Sequence, residues 1–308
     1  MKVKISILVV ALCMLASCQS KVNYDFPNNY KQAIVIIVMN SVLTPDEPIS
    51  VTLSLTMNIS NAYDHDIYGA TLKEPTYIDD ALVVVFEDGQ LLDTLSFVDN
   101  IYISGKTPKV GSQYKIEASS SKYGNCSAST NIPALPEISE IHYRNNVSVD
   151  DEGEPISKLY LKITDNDTDR NYYKIFMSVN RDEESYYGYW PVYFSQTQNA
   201  DSVFMQSGSL VFDGSCLLIS DEYFSGGNYN LEAFCRHIHS NTAIVVMSIS
   251  ESYYEYLRSK AMQDYDYSTD GFVSAQNVLN VIPANIYSNI ENGYGIFAGY
   301  SIMNDTLR

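Results

Sequence analysis

The stretch Ser50-Val51-Thr52-Leu53-Ser54-Leu55-Thr56-Met57-Asn58-Ile59 alternates strictly, with Val51, Leu53, Leu55, Met57 and Ile59 on one side and only polar residues on the other. A period of two belongs to a strand with one face buried and one face wet; a helix would scatter the same apolar residues around its circumference. Neighbouring segments agree. Upstream, residues 33–40 form an apolar, β-branched run, and Thr44-Pro45-Asp46-Glu47-Pro48 supplies the turn between. Downstream, residues 81–86 and 91–95 flank Glu87-Asp88-Gly89-Gln90, the Asp-Gly signal of a tight hairpin. Residues 114–118 and 127–132 read as further strands. Roughly seven short strands in about 100 residues predict a sandwich of immunoglobulin-like architecture over residues 32–134, without the Cys…Trp…Cys hallmark.

Pro133-Ala134-Leu135-Pro136 punctuates the chain. A second β-rich domain is expected over 137–308, with strands at 138–143, 156–163, 172–179, 190–195, 209–212, 216–219, 229–236 and 243–250. One helix interrupts the alternation at 251–263, where Tyr253, Tyr256, Leu257 and Met262 share a face. Ser248 or Ser250 would cap it, and its first turn is acidic. The tail, 286–302, carries Asn292-Gly293 as a positive-φ turn before a last strand. The expected fold is therefore mainly β, with a single short C-terminal helix.

The first 17 residues follow another grammar. Lys2 and Lys4 precede the apolar run 5–15, and Leu15-Ala16-Ser17 ends in small residues just before Cys18. The run is shorter than the ~20 residues that span a bilayer, so it reads as a secretory signal. Leu-Ala-Ser-Cys matches the bacterial lipobox, in which the cysteine thiol takes a diacylglycerol and its freed amine is acylated. The expectation is cleavage before Cys18, a lipid anchor on it, and a polar tether over 18–31.

Without Lys2 and Lys4, 17 basic residues face 37 acidic ones, a formal charge of −20. Nucleic-acid phosphates need clustered Lys and Arg, so this charge argues against that partner. It also leaves acyl chains, rather than electrostatics, to hold the chain to anionic lipid.

Motifs for chemistry are sparse. Asp165-Asn166-Asp167-Thr168-Asp169 opens like a calcium loop, but the sixth and twelfth positions are Arg170 and Phe176 rather than Gly and Glu. His237 and His239 share a strand face, with no third ligand spaced nearby. There is no Gly-x-Ser-x-Gly elbow and no phosphate-cradling loop, and neither Asp79-Asp80 nor Glu183-Glu184 stands out in so acidic a chain. No cofactor, metal or catalytic residue is expected. Beyond Cys13 and Cys18 lie Cys126, Cys216 and Cys235. Cys216 and Cys235 fall on expected neighbouring strands and are candidates for a disulfide, isolated core residues being the alternative. The candidate contact surface is the aromatic run containing Tyr186, Tyr187, Tyr189, Trp190 and Tyr193; a strand sandwiched between two layers is the other reading.

Several segments carry a resemblance in their order: Ala33-Ile34-Val35-Ile36-Ile37, Asp79-Asp80-Ala81-Leu82-Val83, Asn171-Tyr172-Tyr173, Ser220-Asp221-Glu222-Tyr223-Phe224-Ser225-Gly226, Tyr253-Tyr254-Glu255-Tyr256-Leu257 and, most specifically, Tyr287 to Tyr300. Together with the lipobox, the chain resembles an uncharacterised family of Bacteroidota lipoproteins built on a domain of unknown function. The resemblance implies no catalytic residues. It implies an outer-membrane lipoprotein serving as an accessory to a TonB-dependent receptor in uptake, with a structural or adhesive surface role as the alternative and a hydrolase less favoured. Gln19-Ser20-Lys21-Val22-Asn23-Tyr24-Asp25 lacks an acidic cluster of the kind tied to surface display, which leaves a periplasm-facing body open.

Overall fold

The structure is a computed structural model that describes residues 35–57, 63–66, 69–149, 153–164, 170–180, 189–191, 194–198, 211–212, 216–221, 227–236, 242–268 and 285–306. The strands begin with β1 (Ile37–Leu43), β2 (Ser50–Leu55), β3 (Tyr63–Asp66), β4 (Gly69–Leu72), β5 (Leu82–Glu87), β6 (Gln90–Thr94) and β7 (Ser96–Val98). There follow β8 (Ile101–Ile103), β9 (Gln113–Ser120), β10 (Gly124–Asn131), β11 (Glu137–Val149), β12 (Pro155–Thr164), β13 (Tyr172–Asn180) and β14 (Tyr189–Pro191). Last come β15 (Phe194–Gln198), β16 (Val211–Phe212), β17 (Cys216–Ser220), β18 (Asn228–Arg236), β19 (Thr242–Ile249), α1 (Glu251–Ser268) and β20 (Tyr294–Thr306).

A ten-stranded sheet runs β16-β17-β13-β19-β20-β1-β2-β8-β7, with β14 paired to β13. Two four-stranded sheets, β10-β9-β5-β6 and β11-β12-β18-β15, complete the main architecture beside the β3–β4 hairpin. Burial follows the alternation from which the fold was read as far as Leu53, after which Ser54 is buried and Leu55 only half-buried. In β2, Val51 and Leu53 are buried; the strand stops at Leu55, and Met57 is exposed rather than continuing the buried face. The Asp-Gly hairpin forms as expected between β5 and β6, with Asp88 at φ 48° and Gly89 at φ 77°.

Side chains of β1, β2, β5, β9 and β10 interlock in one core around Met39, Leu53, Val85 and Ile116. A second core forms where β12 and β18 meet β13, β17 and β19, around Leu161, Ile175, Leu231 and Val246. The opposite face of β19 turns Val245, Met247 and Ile249 onto Tyr254 and Leu257 of α1. The Ser250 hydroxyl caps that helix by accepting from the Tyr253 N–H at 3.3 Å.

Residues 35–308 form one compact unit. Pro133–Pro136 separates the two cores but does not part the chain into a 32–134 body and a 137–308 body. The reason is β20: it pairs antiparallel with β19 and parallel with β1, so the last strand joins the first inside one sheet. Ile290 and Phe297, from the far end of the chain, accordingly lie in the N-terminal core.

That junction is built from polar groups with assigned partners. Asn289 donates through Nδ2 to the carbonyls of Ser129 (3.1 Å) and Phe297 (2.7 Å), and its Oδ1 accepts from the Phe297 N–H at 2.9 Å. Buried Ser252 donates to the Phe297 carbonyl at 3.1 Å, and the Ser301 hydroxyl donates to that of Ala134 at 3.0 Å. Positive φ falls on Asn292 (58°) and Gly295 (113°), not on Gly293. Gly293 is needed for space: a Cβ there would lie 2.9 Å from both the Ile37 carbonyl oxygen and Ile290 Cγ2.

Candidate functional site

Strand parity decides which residues of β5, β9 and β10 look outward. Val83 and Val85 are fully buried, which turns Leu82, Val84 and Phe86 to the opposite face. Register then aligns Leu82 with Ser119 and Ser119 with Asn125, and in the next row Val84 with Glu117 and Glu117 with Ser127. The Glu291 backbone is pinned to the Ser127 backbone by two hydrogen bonds of 2.8 and 3.2 Å, which brings Asn292 to the rim. These residues line a recess of about 310 Å³. That is the lower end of the range usual for small-molecule sites, ~300–1,000 Å³.

The lining is polar over an apolar floor. Leu82 is 58% exposed, a large aliphatic side chain left open to solvent in the middle of hydrogen-bonding groups. The Ser119 hydroxyl donates to Asn125 Oδ1 at 2.8 Å, and the Ser127 hydroxyl donates to Glu291 Oε2 at 3.0 Å. Lys115 Nζ lies 2.7 Å from Glu117 Oε1. The hydrogen bond it donates to Glu117, reinforced by the charges of Glu117 and Glu291, holds the Lys115 ammonium above its ordinary pKa, so the pair is charge-balanced. Among the described residues, no hydrogen bond engages Asn125 Nδ2 or the Asn292 carboxamide.

A second outward surface lies on β11, β12 and β18. His142 stacks on its cross-strand neighbour Tyr160 with ring centroids 4.6 Å apart. Lys158 Nζ sits 5.0 Å from the Tyr160 ring centre and 5.1 Å from that of Phe234, and pairs with Glu232 at 2.6 Å. Arg144 approaches the same tyrosine at 5.9 Å. The rings here are covered by one another and by the cations, so this ladder stabilises the sheet face rather than presenting open aromatic area.

The residues singled out from sequence fare differently. Cys18, Tyr186, Tyr187 and Tyr193 lie outside the described residues, as do Asp165–Asp169, His237 and His239. Tyr189 and Trp190 fall on β14, opposite Asn180 and Val179 of β13. Cys216 and Cys235 form no disulfide with each other, which corrects the candidate pairing: both are buried thiols. Their strands are not neighbours, since β17 pairs with β13 and β16 while β18 pairs with β12 and β15. Parity also separates them: Cys235 points into the β12–β18 core, whereas Cys216 alternates with the core-facing Leu217 and Ile219. A disulfide needs Cβ atoms within about 4.5 Å, which opposite sheet faces cannot supply.

Burial pushes the Cys126 thiol up to about 11 and the Cys235 thiol up to about 12, from an ordinary 9.0. A thiol whose folded pKa is raised stabilises the fold fully below the unfolded value. That contribution is lost as pH climbs from 9.0 through about 11 and 12, because the unfolded chain then ionises first. Native protein should therefore react with Ellman's reagent at Cys126 and Cys235 only as fast as it opens, and its urea midpoint should fall above pH 9. Rapid labelling of either thiol in the folded chain, located by mass spectrometry, would refute this.

Among the described residues, no three or more His, Cys, Asp or Glu side chains group to hold a metal ion. No helix among them is long and apolar enough to cross a membrane, which leaves membrane-spanning strands unaddressed. A family model described as a domain of unknown function (DUF4249) matches residues 20–306. No curated protein matches the chain.

Proposed function

The chain belongs to this DUF4249 family, and from that premise we propose that it is a Bacteroidota lipoprotein, anchored to the outer membrane through Cys18, that acts as a non-catalytic binding accessory to a TonB-dependent receptor in nutrient uptake. The observation that carries the reading is Leu15-Ala16-Ser17-Cys18 placed directly after a charged start and an 11-residue apolar run, residues 5–15. Acylation there would fix a strongly acidic body at a membrane surface it would not otherwise approach.

The recess supports a binding role within that reading. It offers side-chain donors without partners, Asn125 on β10 and Asn292 on the turn before β20, beside an exposed leucine. The strands hold Leu82, Ser119 and Asn125 in fixed positions, which suits recognition.

The test is extraction of the native membrane in mild detergent, followed by affinity purification of the tagged full-length lipoprotein. A β-barrel receptor is expected to co-purify in near-stoichiometric amount. Repeated recovery of the lipoprotein alone, with loss of surface adhesion rather than of nutrient growth on deletion, would replace the accessory role with an adhesive one.

A further inference from the structure

We propose that the recess on β5, β9 and β10 binds an uncharged saccharide, with Leu82 and Val84 under the sugar ring and Asn125, Ser119 and Asn292 on its hydroxyls. This deepens the binding role proposed above and rests on it.

The ligand class follows from what the lining can and cannot satisfy. An anion would need a cation to spare, and no lining residue is one; Lys115, next to them on β9, is held by Glu117 on a chain of formal charge −18. A cation would need a free carboxylate in the lining, and the one carboxylate there, Glu117, is paired with Lys115. A wholly apolar ligand would cover the Asn125 and Asn292 amides without giving them partners, and each buried unsatisfied group costs about 1–3 kcal/mol. An added peptide strand needs a sheet edge. The recess lies over β5 and β9, each paired on both sides, and the outer edge of β10 is already met by the Glu291 backbone at Ser127.

A sugar meets every requirement. A carboxamide donates and accepts at once, as does a vicinal pair of hydroxyls. Asn125 keeps its Nδ2 hydrogens available because Ser119 occupies only its Oδ1. The ring's C–H face covers Leu82, which is 58% exposed within the lining. Cross-strand register sets Leu82, Ser119 and Asn125 in one row and Val84, Glu117 and Ser127 in the next, a spacing of apolar and polar groups that a flat ring with hydroxyls at its edge can span.

The experiment uses the full-length lipidated protein in detergent micelles, titrated by calorimetry with maltohexaose, cellohexaose, mannohexaose and xylohexaose. Hexagalacturonate and tetralysine serve as charged probes. At least one neutral hexasaccharide is expected to bind, with affinity little changed by salt. Asn125→Asp keeps the acceptor for the Ser119 hydroxyl while removing both donors, so it should leave folding intact and weaken binding about tenfold or more. Leu82→Ser should do the same through the floor. No neutral sugar bound, binding equal in both variants, or salt-sensitive binding of a charged probe alone would each overturn the assignment. Receptor co-purification by the same two variants tests the accessory role separately, so either reading can fail alone.

Discussion

Gly295→Ala should cost the body about 3–5 kcal/mol, enough to leave much of it unfolded under ordinary conditions. Gly295 lies opposite Met39 in the parallel pairing of β1 with β20, and its φ of 113° is one that a side chain rarely adopts. A Cβ would sit 2.0 Å from the Met39 carbonyl oxygen and 2.8 Å from Asn40 Oδ1. The closest of these neighbours is backbone, in the middle of the largest sheet, so relief requires β1 and β20 to separate. Urea denaturation followed by circular dichroism measures the effect. Gly89→Asn is the control: its φ is also positive, at 77°, but nothing lies within 4 Å of a Cβ there, and asparagine tolerates that region. It should cost less than about 1 kcal/mol. Equal midpoints for the two variants would show that the close approach of β1 and β20 does not govern stability.

Cys18→Ser should release the protein from the membrane. Serine is smaller than cysteine by little, but its hydroxyl is not the thiol that takes the diacylglycerol. At roughly 0.8 kcal/mol per buried methylene, two or more acyl chains give an anchor that washing does not reverse, whereas a single short chain holds only marginally. Wild-type protein should stay in the pellet after high-salt and alkaline washing and incorporate labelled palmitate. The variant should incorporate none and leave the pellet. Retention of Cys18→Ser in washed membranes, with unchanged recovery, would remove the lipid anchor from the account and with it the basis of the accessory role.

How much of this was legible beforehand depends on range. Alternation is a local property, so residues 50–55, 114–118, 156–163 and 229–236 declared themselves as strands, and the Ser250 cap with Tyr253 and Leu257 declared the helix. Strand ends were less certain: the apolar run at 33–40 suggested an earlier start than Ile37 for β1. Pairing is not local. Nothing in the composition of Tyr294–Thr306 says that it will lie parallel to residues more than 250 positions earlier, and that one pairing joins the expected two domains into a single sheet. The same limit defeated the disulfide, because closeness in sequence was read as adjacency in the sheet.

The candidate site was hidden for a related reason. Leu82, Glu117, Asn125 and Asn292 come from four separate segments, and a single asparagine in a strand carries no signal. One hint existed. Ala81-Leu82-Val83-Val84-Val85 is apolar on both faces, yet only the Val83 and Val85 face is fully buried, so its outward residues needed another use.

The parallel pairing of β1 with β20 also has a mechanical meaning. Any pull on the chain ahead of Ile37, directed along the strand, enters the protein through β1, which is clamped between β2 and β20 in the interior of the ten-stranded sheet. Drag on the body is then borne in shear by both ladders together, from Val38–Tyr294 to Leu43–Gly299 on one side and from Ile37–Leu55 to Asn40–Thr52 on the other. Bonds loaded in this way must yield as a set, whereas a strand at a sheet's rim could be peeled one pair at a time. A tether attached ahead of Ile37 would therefore load two ladders at once.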